Sequence, residues 1–181
     1  MTGSCTFTSA GVYSVKVTVR DDDGGSDSKT STGKVVVYDP NGGWVTGGGW
    51  VNSPAGAYAA SMTLTGKITF SFVARYESAD APPAGSVDVK MSLAKLDFRS
   101  TSFDWLVVGD GVARFQGRGT MNGSGDYCFS ITARDGDTDE IRIRIWRKST
   151  GAMAYDSQSG ALAYSSSLTP LEGGSIQIHA P

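Results

Sequence analysis

Histidine is almost missing from this 181-residue chain; His179, close to the C-terminus, is the single one. A Ser-His-Asp or Cys-His site would have no other imidazole to use, and a multi-histidine zinc centre is excluded. Cysteine is nearly as scarce. Cys5 and Cys128 are the only two, and their separation rules out a CxxC motif. One disulfide or two free thiols both stay open, since a free cysteine packs as a small hydrophobe. No apolar run approaches the roughly 18 residues of a membrane-spanning helix. No basic stretch leads into an apolar one at the start, so no signal peptide is expected. The charged share is 19% and the net charge is −2. Without a basic surplus, a general nucleic-acid binder is excluded, because such binding rests on phosphate neutralisation. The G-x-S-x-G elbow, the Walker sequence and H-E-x-x-H are absent.

Glycine is plentiful instead, with 24 residues against six prolines. Apolar residues alternate with polar ones through most of the chain. Val15, Val17 and Val19 alternate with Lys16, Thr18 and Arg20, the period of a half-buried strand. A polar loop over 21–28 follows, then a second strand over Lys34–Tyr38. Ile68, Phe70, Phe72 and Tyr76 share a face, as do Val87, Val89, Met91 and Leu93. Phe103–Val108 is almost wholly apolar, which predicts burial on both faces. Ile141, Ile143 and Ile145 oppose Arg142, Arg144 and Trp146. Asn122-Gly123 predicts a tight hairpin between Ala113–Met121 and Asp126–Arg134, because both residues tolerate positive φ. No helical period reaches ten residues. The expected fold is all-β, an antiparallel meander of about eight to ten strands closing as a β-sandwich or β-barrel.

The acidic loop Asp135-Gly136-Asp137-Thr138-Asp139-Glu140 is the sharpest candidate for chemistry. Carboxylates at alternate positions, with carbonyls between them, can converge on calcium, which takes six to eight oxygens at about 2.3–2.6 Å. The EF-hand pattern fails, since Glu140 stands where the sixth-position glycine belongs. The bland reading is a hairpin loop of turn-forming residues. Asp21 and Asp23 make a second, weaker candidate. Trp44 and Trp50 flank a glycine run and offer either aromatic platforms for sugar rings or core side chains. Trp105 reads as core. Trp146 reads as more exposed, able to stack on Arg142 or Arg144. The face carrying Arg142, Arg144 and Arg147, joined by Arg114 and Arg118, suits an anion or acidic polysaccharide if it is not simply solvated. A glycosidase-like carboxylate pair drawn from Asp88, Asp97, Asp104, Asp126 and Asp156 stays open. Asp104, between Phe103 and Trp105, is the one expected in an apolar setting. Ser92 and Lys95 fit S-x-x-K as a string, but a strand there would set them on opposite faces.

Residues 8–25, Thr8-Ser9-Ala10-Gly11-Val12-Tyr13-Ser14-Val15-Lys16-Val17-Thr18-Val19-Arg20-Asp21-Asp22-Asp23-Gly24-Gly25, resemble the closing half of a PKD domain, an immunoglobulin-like sandwich repeated in secreted and surface proteins of bacteria and archaea. The likeness extends over about 6–38. The earlier PKD strands, with their WDFGDG-like signature, do not precede it, so the chain is expected to be a fragment of a longer one. The rest resembles the β-rich domain that follows PKD or other Ig-like repeats at the C-terminus of bacterial extracellular proteins. The carriers are 47–58, 101–108, 119–127, 141–146 and 173–179. The resemblance implies a partial PKD-like segment at 1–43, a sandwich or barrel at 44–181, and an extracellular or cell-surface location. It implies an adhesion, spacer or accessory-binding module, calcium-stabilised, that meets a polysaccharide or cell-surface ligand. The alternative is a carbohydrate-active role, as a sugar-binding module or a small hydrolase. An incomplete PKD half would also leave a strand edge open to a second copy, by dimerisation or strand exchange.

Overall fold

The computed structural model describes residues 4–180. It is all-β and antiparallel, with a two-stranded and a ten-stranded sheet. The small sheet is a hairpin of β1 (Gly11–Arg20) and β2 (Ser26–Val37). Its turn is shorter than the polar run suggests. Asp21 Oδ1 accepts the N–H groups of Asp23 (3.1 Å) and Gly25 (2.7 Å), so the turn is complete by Gly25 and Ser26 already pairs with Arg20. Val15, Val17 and Val19 are exposed.

The large sheet runs as a meander through β3 (Trp44–Ser53), β4 (Gly66–Arg75), β5 (Ala84–Met91), β6 (Leu96–Gly109), β7 (Val112–Met121), β8 (Ser124–Arg134), β9 (Glu140–Arg147) and β10 (Met153–Asp156). Two short strands finish it. β11 (Thr169–Pro170) pairs with the outer edge of β9, and β12 (Gly173–His179) pairs with β3. Turn chemistry sets the hairpins. Asn122 (φ 53) and Gly123 (φ 73) join β7 to β8 as expected. Asp110 and Gly111 join β6 to β7 in the same way. Ser92–Ala94 is a 3-10 turn between β5 and β6, not a strand, so Leu93 leaves the core face and is exposed.

One face carries the core. Ile68, Phe70 and Phe72 of β4, Val87, Val89 and Met91 of β5, Phe98 of β6, Phe115 of β7, Phe129 and Ile131 of β8, and the three isoleucines of β9 are all buried in one cluster. At Gly117 of β7 an added Cβ would meet Ser102 O at 2.1 Å and Phe129 at 2.8 Å. The missing side chain is what lets the aromatic cluster close over that strand.

The apolar run of β6 is buried on both faces, and two bulges explain how. The register shifts between Ser100 and Ser102 and again between Phe103 and Trp105. Each extra residue reverses the alternation. Phe103 and Leu106 therefore face the core, while Trp105 lies opposite Gln116 on the other side. There it is covered by the segment 157–168, whose Tyr164 ring lies 6.4 Å from it. Ser130, Thr132, Arg142 and Leu168 are buried in the same second layer.

The sheet curls until its ends meet. Only Leu171 and Glu172 separate β11 on one end from β12 on the other. Leu171 N–H donates to Asp139 O (2.9 Å) and Glu172 N–H to Trp50 O (3.0 Å), one bond to each end. Tyr58, beyond β3, bridges Tyr155 of β10. No continuous ladder joins β10 to β12, so the result is sandwich-like and not a closed barrel.

Candidate functional site

The outer face of β12, β3 and β4 positions the two glycine-flanked tryptophans. In β3 the odd residues Val45, Val51 and Ser53 are buried, which turns the even residues outward. Trp44 and Trp50 thus share one face. Six residues apart, they are about 20 Å from each other along the strand. Between them lie Thr46 and Gly48. Cross-strand partners are Ser175 and Ser71 at Gly48, Gln177 and Val73 at Thr46, and Thr69 at Trp50. The strip is therefore hydroxyl- and amide-lined with an aromatic at each end.

Each indole has a defined setting. Trp44 is 38% exposed and stacks on His179, ring centroids 3.7 Å apart and 8° between planes. The two face each other directly across β3 and β12. Trp50 lies across its neighbour strand. A Cβ at Gly173 would sit 2.6 Å from Trp50 Nε1, so the glycine makes room for the ring. Lys67 Nζ lies 4.4 Å from the Trp50 ring centroid. An exposed contact of this kind is worth about 0.5–1 kcal/mol, small enough for a stacking ligand to replace. On the neighbouring strands, charge is balanced locally. Arg99 meets Asp88 (3.6 Å) and Asp97 (3.4 Å), and Lys90 meets Asp97 (3.7 Å).

The arginine face is not one surface. Arg142 is 1% exposed, and all its donors have acceptors inside the fold. Nε and Nη2 hold the two oxygens of Asp156 at 3.0 and 2.9 Å; Nη1 reaches Leu162 O and Ser165 Oγ; Nη2 also reaches Gln158 O and Ala161 O. This arginine anchors the 157–168 segment and presents nothing to a ligand. Arg144 also meets Asp156 (3.3 Å), and its guanidinium stands 5.4 Å from the Trp146 ring, the stacking expected from the sequence. Arg147 lies over Tyr127, and burial lowers the Arg114 pKa.

The acidic loop uses its carboxylates on the protein's own backbone. Ile176 N–H donates to Asp139 Oδ2 and Ile178 N–H to Asp135 Oδ2, both at 2.8 Å. Asp139 Oδ1 accepts Gly136 N–H (3.2 Å), and Glu140 pairs with Arg134. These acceptors cover β12 on the edge that does not pair with β3. Asp137 is exposed. Among the described residues no group of three or more His, Cys, Asp or Glu is placed to hold a metal ion. Asp21 is likewise occupied by its turn, and Asp23 is exposed.

Asp104 is the extra residue of the second bulge and is exposed, contrary to the expected apolar setting. It accepts from Gln116 Nε2 (3.4 Å) and lies 3.9 Å from Arg118. Asp88, Asp97, Asp126 and Asp156 each have a basic partner. Cys5 and Cys128 are both free, and burial pushes the Cys128 thiol pKa up. Sequence reasoning missed His179 and Lys67 as companions of the tryptophans. Their placement depends on pairing between the two ends of the domain, which leaves no local signal.

Fold and site together define a sandwich-like all-β protein that carries two tryptophans along one strand of an open sheet face. No family model, curated protein or solved structure matches the chain. Among the described residues no helix is long and apolar enough to cross a membrane.

Proposed function

We propose that this chain is a non-catalytic binding module of an extracellular or cell-surface bacterial protein, and that it engages uncharged polysaccharide on the outer face of β12, β3 and β4. The carrying observation is the pair Trp44 and Trp50 on one face of one strand, with hydroxyl and amide side chains between them. Sugar rings present C–H faces to aromatic planes and hydroxyls to polar groups. A strip about 20 Å long suits an extended chain more than a single sugar. Beside the strip the ion pairs of β5 and β6 balance their own charge, and the cation of Lys67 is held over the Trp50 ring, which favours a neutral ligand. The extracellular setting and the accessory-module role rest on the resemblance of 8–25 to a PKD segment.

Affinity electrophoresis against neutral glucans and xylans, with alginate as the acidic comparison, tests this reading. Retardation by a neutral polymer, abolished in Trp50→Ala and weakened in Trp44→Ala, is the expected result. Migration unaffected by every polymer would overturn it, as would retardation that survives the double variant.

A further inference from the structure

An open cavity of ≈ 380 Å³ lies where the hairpin meets the sandwich, lined by Tyr38, Tyr76, Asp80, Pro82 and Asp104 among others. Tyr38 follows β2, and Tyr76 follows β4. Their rings stack at 5.4 Å with 16° between planes. Tyr76 is fixed, because its hydroxyl donates to Leu106 O (3.2 Å) and accepts Leu106 N–H (3.1 Å) just beyond the bulge. That rung holds Asp104 at the cavity wall. Asp104 has only long contacts, to Gln116 and Arg118. Asp80 has no ion pair or side-chain hydrogen bond among the described residues. No lysine or arginine lines the cavity.

Two carboxylates and a stacked tyrosine pair, which has the outer face of one ring left to offer, therefore border a space with one guanidinium at its margin. Carboxylates attract a cation by charge, and the outer face of a tyrosine ring attracts it through its quadrupole. Ala79, Ala81 and Pro82 add apolar wall suited to an alkyl stem. We infer that this cavity binds a primary ammonium group on an alkyl chain, carried by a lysine side chain or by a free diamine. Because Tyr38 belongs to the hairpin and the rest to the sandwich, such a ligand would also tie the two together.

The test is a titration of the full chain followed by amide chemical shifts at physiological ionic strength. The probes are cadaverine, Nα-acetyl-lysine methylamide and, as the uncharged control, 1-pentanol. Saturable shifts around residues 38, 76, 80 and 104 are expected with the amines and not with pentanol. Asp80→Asn should weaken them about tenfold, equivalent to one lost ion pair of roughly 1.4 kcal/mol, and Tyr38→Ala should also weaken them. Stronger binding of the lysine derivative would identify a protein side chain as the source; stronger binding of cadaverine, a free diamine. Shifts without saturation, shifts spread equally over other exposed carboxylates, or equal binding by Asp80→Asn would each overturn the inference.

Discussion

Arg142 and Asp156 form an ion pair with side chains 1% and 7% exposed. A buried charge costs far more when its partner is removed than the intact pair contributes. Arg142→Met should therefore lose about 3–5 kcal/mol, leaving Asp156 with only Arg144 and the Gln158 amide as donors, and several carbonyls without the guanidinium. Arg142→Met combined with Asp156→Leu should recover part of that loss. Urea unfolding followed by circular dichroism measures both. Tyr155 behaves differently. It is fully buried, and neither its hydroxyl nor that of Ser53 has a hydrogen-bond partner of normal geometry. The two are near enough for Ser53 to temper the shift, but burial dominates and the Tyr155 pKa is pushed up to about 12. Burial also raises Tyr76 and Tyr164. In each case the unfolded state loses its proton first, near the ordinary tyrosine value of about 10. Stability contributed by the protonated forms is thus complete below pH 10 and falls as pH rises above it, for Tyr155 through about 12. Tyr155→Phe should flatten that decline and cost little at neutral pH, as a pH series of thermal melts would show.

At the scale of elements, the seam between the sheet ends is held by two carboxylates, a two-residue link and the bridge of Tyr58 to Tyr155. Strand edges with unpaired N–H groups invite other strands, and here Asp135 and Asp139 cover β12. Asp139→Ala strands the Ile176 amide and should cost about 1–3 kcal/mol, while Asp137→Ala should change little. Thermal melts of the two variants separate these outcomes. The same melts with calcium and with EDTA should coincide for the parent chain, because a calcium ion would have to take lone pairs already directed at β12. The β1–β2 hairpin is the opposite kind of element. Two strands alone are marginal in water, and most of its residues are exposed. Deletion of residues 1–37 should leave the sandwich folded, lowering its midpoint by a few degrees at most, roughly 2–4 °C per kcal/mol lost for a chain of this size. Loss of cooperative unfolding would show that the hairpin belongs to the main fold.

At the scale of the whole molecule, the curl of the sheet decides what is surface and what is interior. Its concave side holds the core, segment 157–168 covers part of the convex side, and the rest, over β12, β3 and β4, stays open with the tryptophans on it. Trp50→Ala should abolish polysaccharide retardation with a change in midpoint far smaller than that of Phe115→Ala, whose core truncation should cost about 3–5 kcal/mol. Parallel electrophoresis and melting of the two variants would separate binding from folding.

Local chemistry made much of this legible. Alternation in 141–146 placed three isoleucines inside, and Asn122-Gly123 marked its hairpin, because both signals depend only on neighbours in sequence. The all-β class and the meander follow from the same local rules. The tertiary structure alone decided the rest. Arg142 reads as a surface residue by alternation, and only a segment beginning fourteen residues later, at Asp156, buries it. Asp135 and Asp139 read as a cation loop, and only the return of β12 turns them into amide acceptors. Trp44 meets His179 because the first and last strands of the domain pair. Alternation says which side of a strand is apolar; it does not say which distant backbone or carboxylate will satisfy the other side. That is settled when the sheet curls and its ends come within hydrogen-bonding distance.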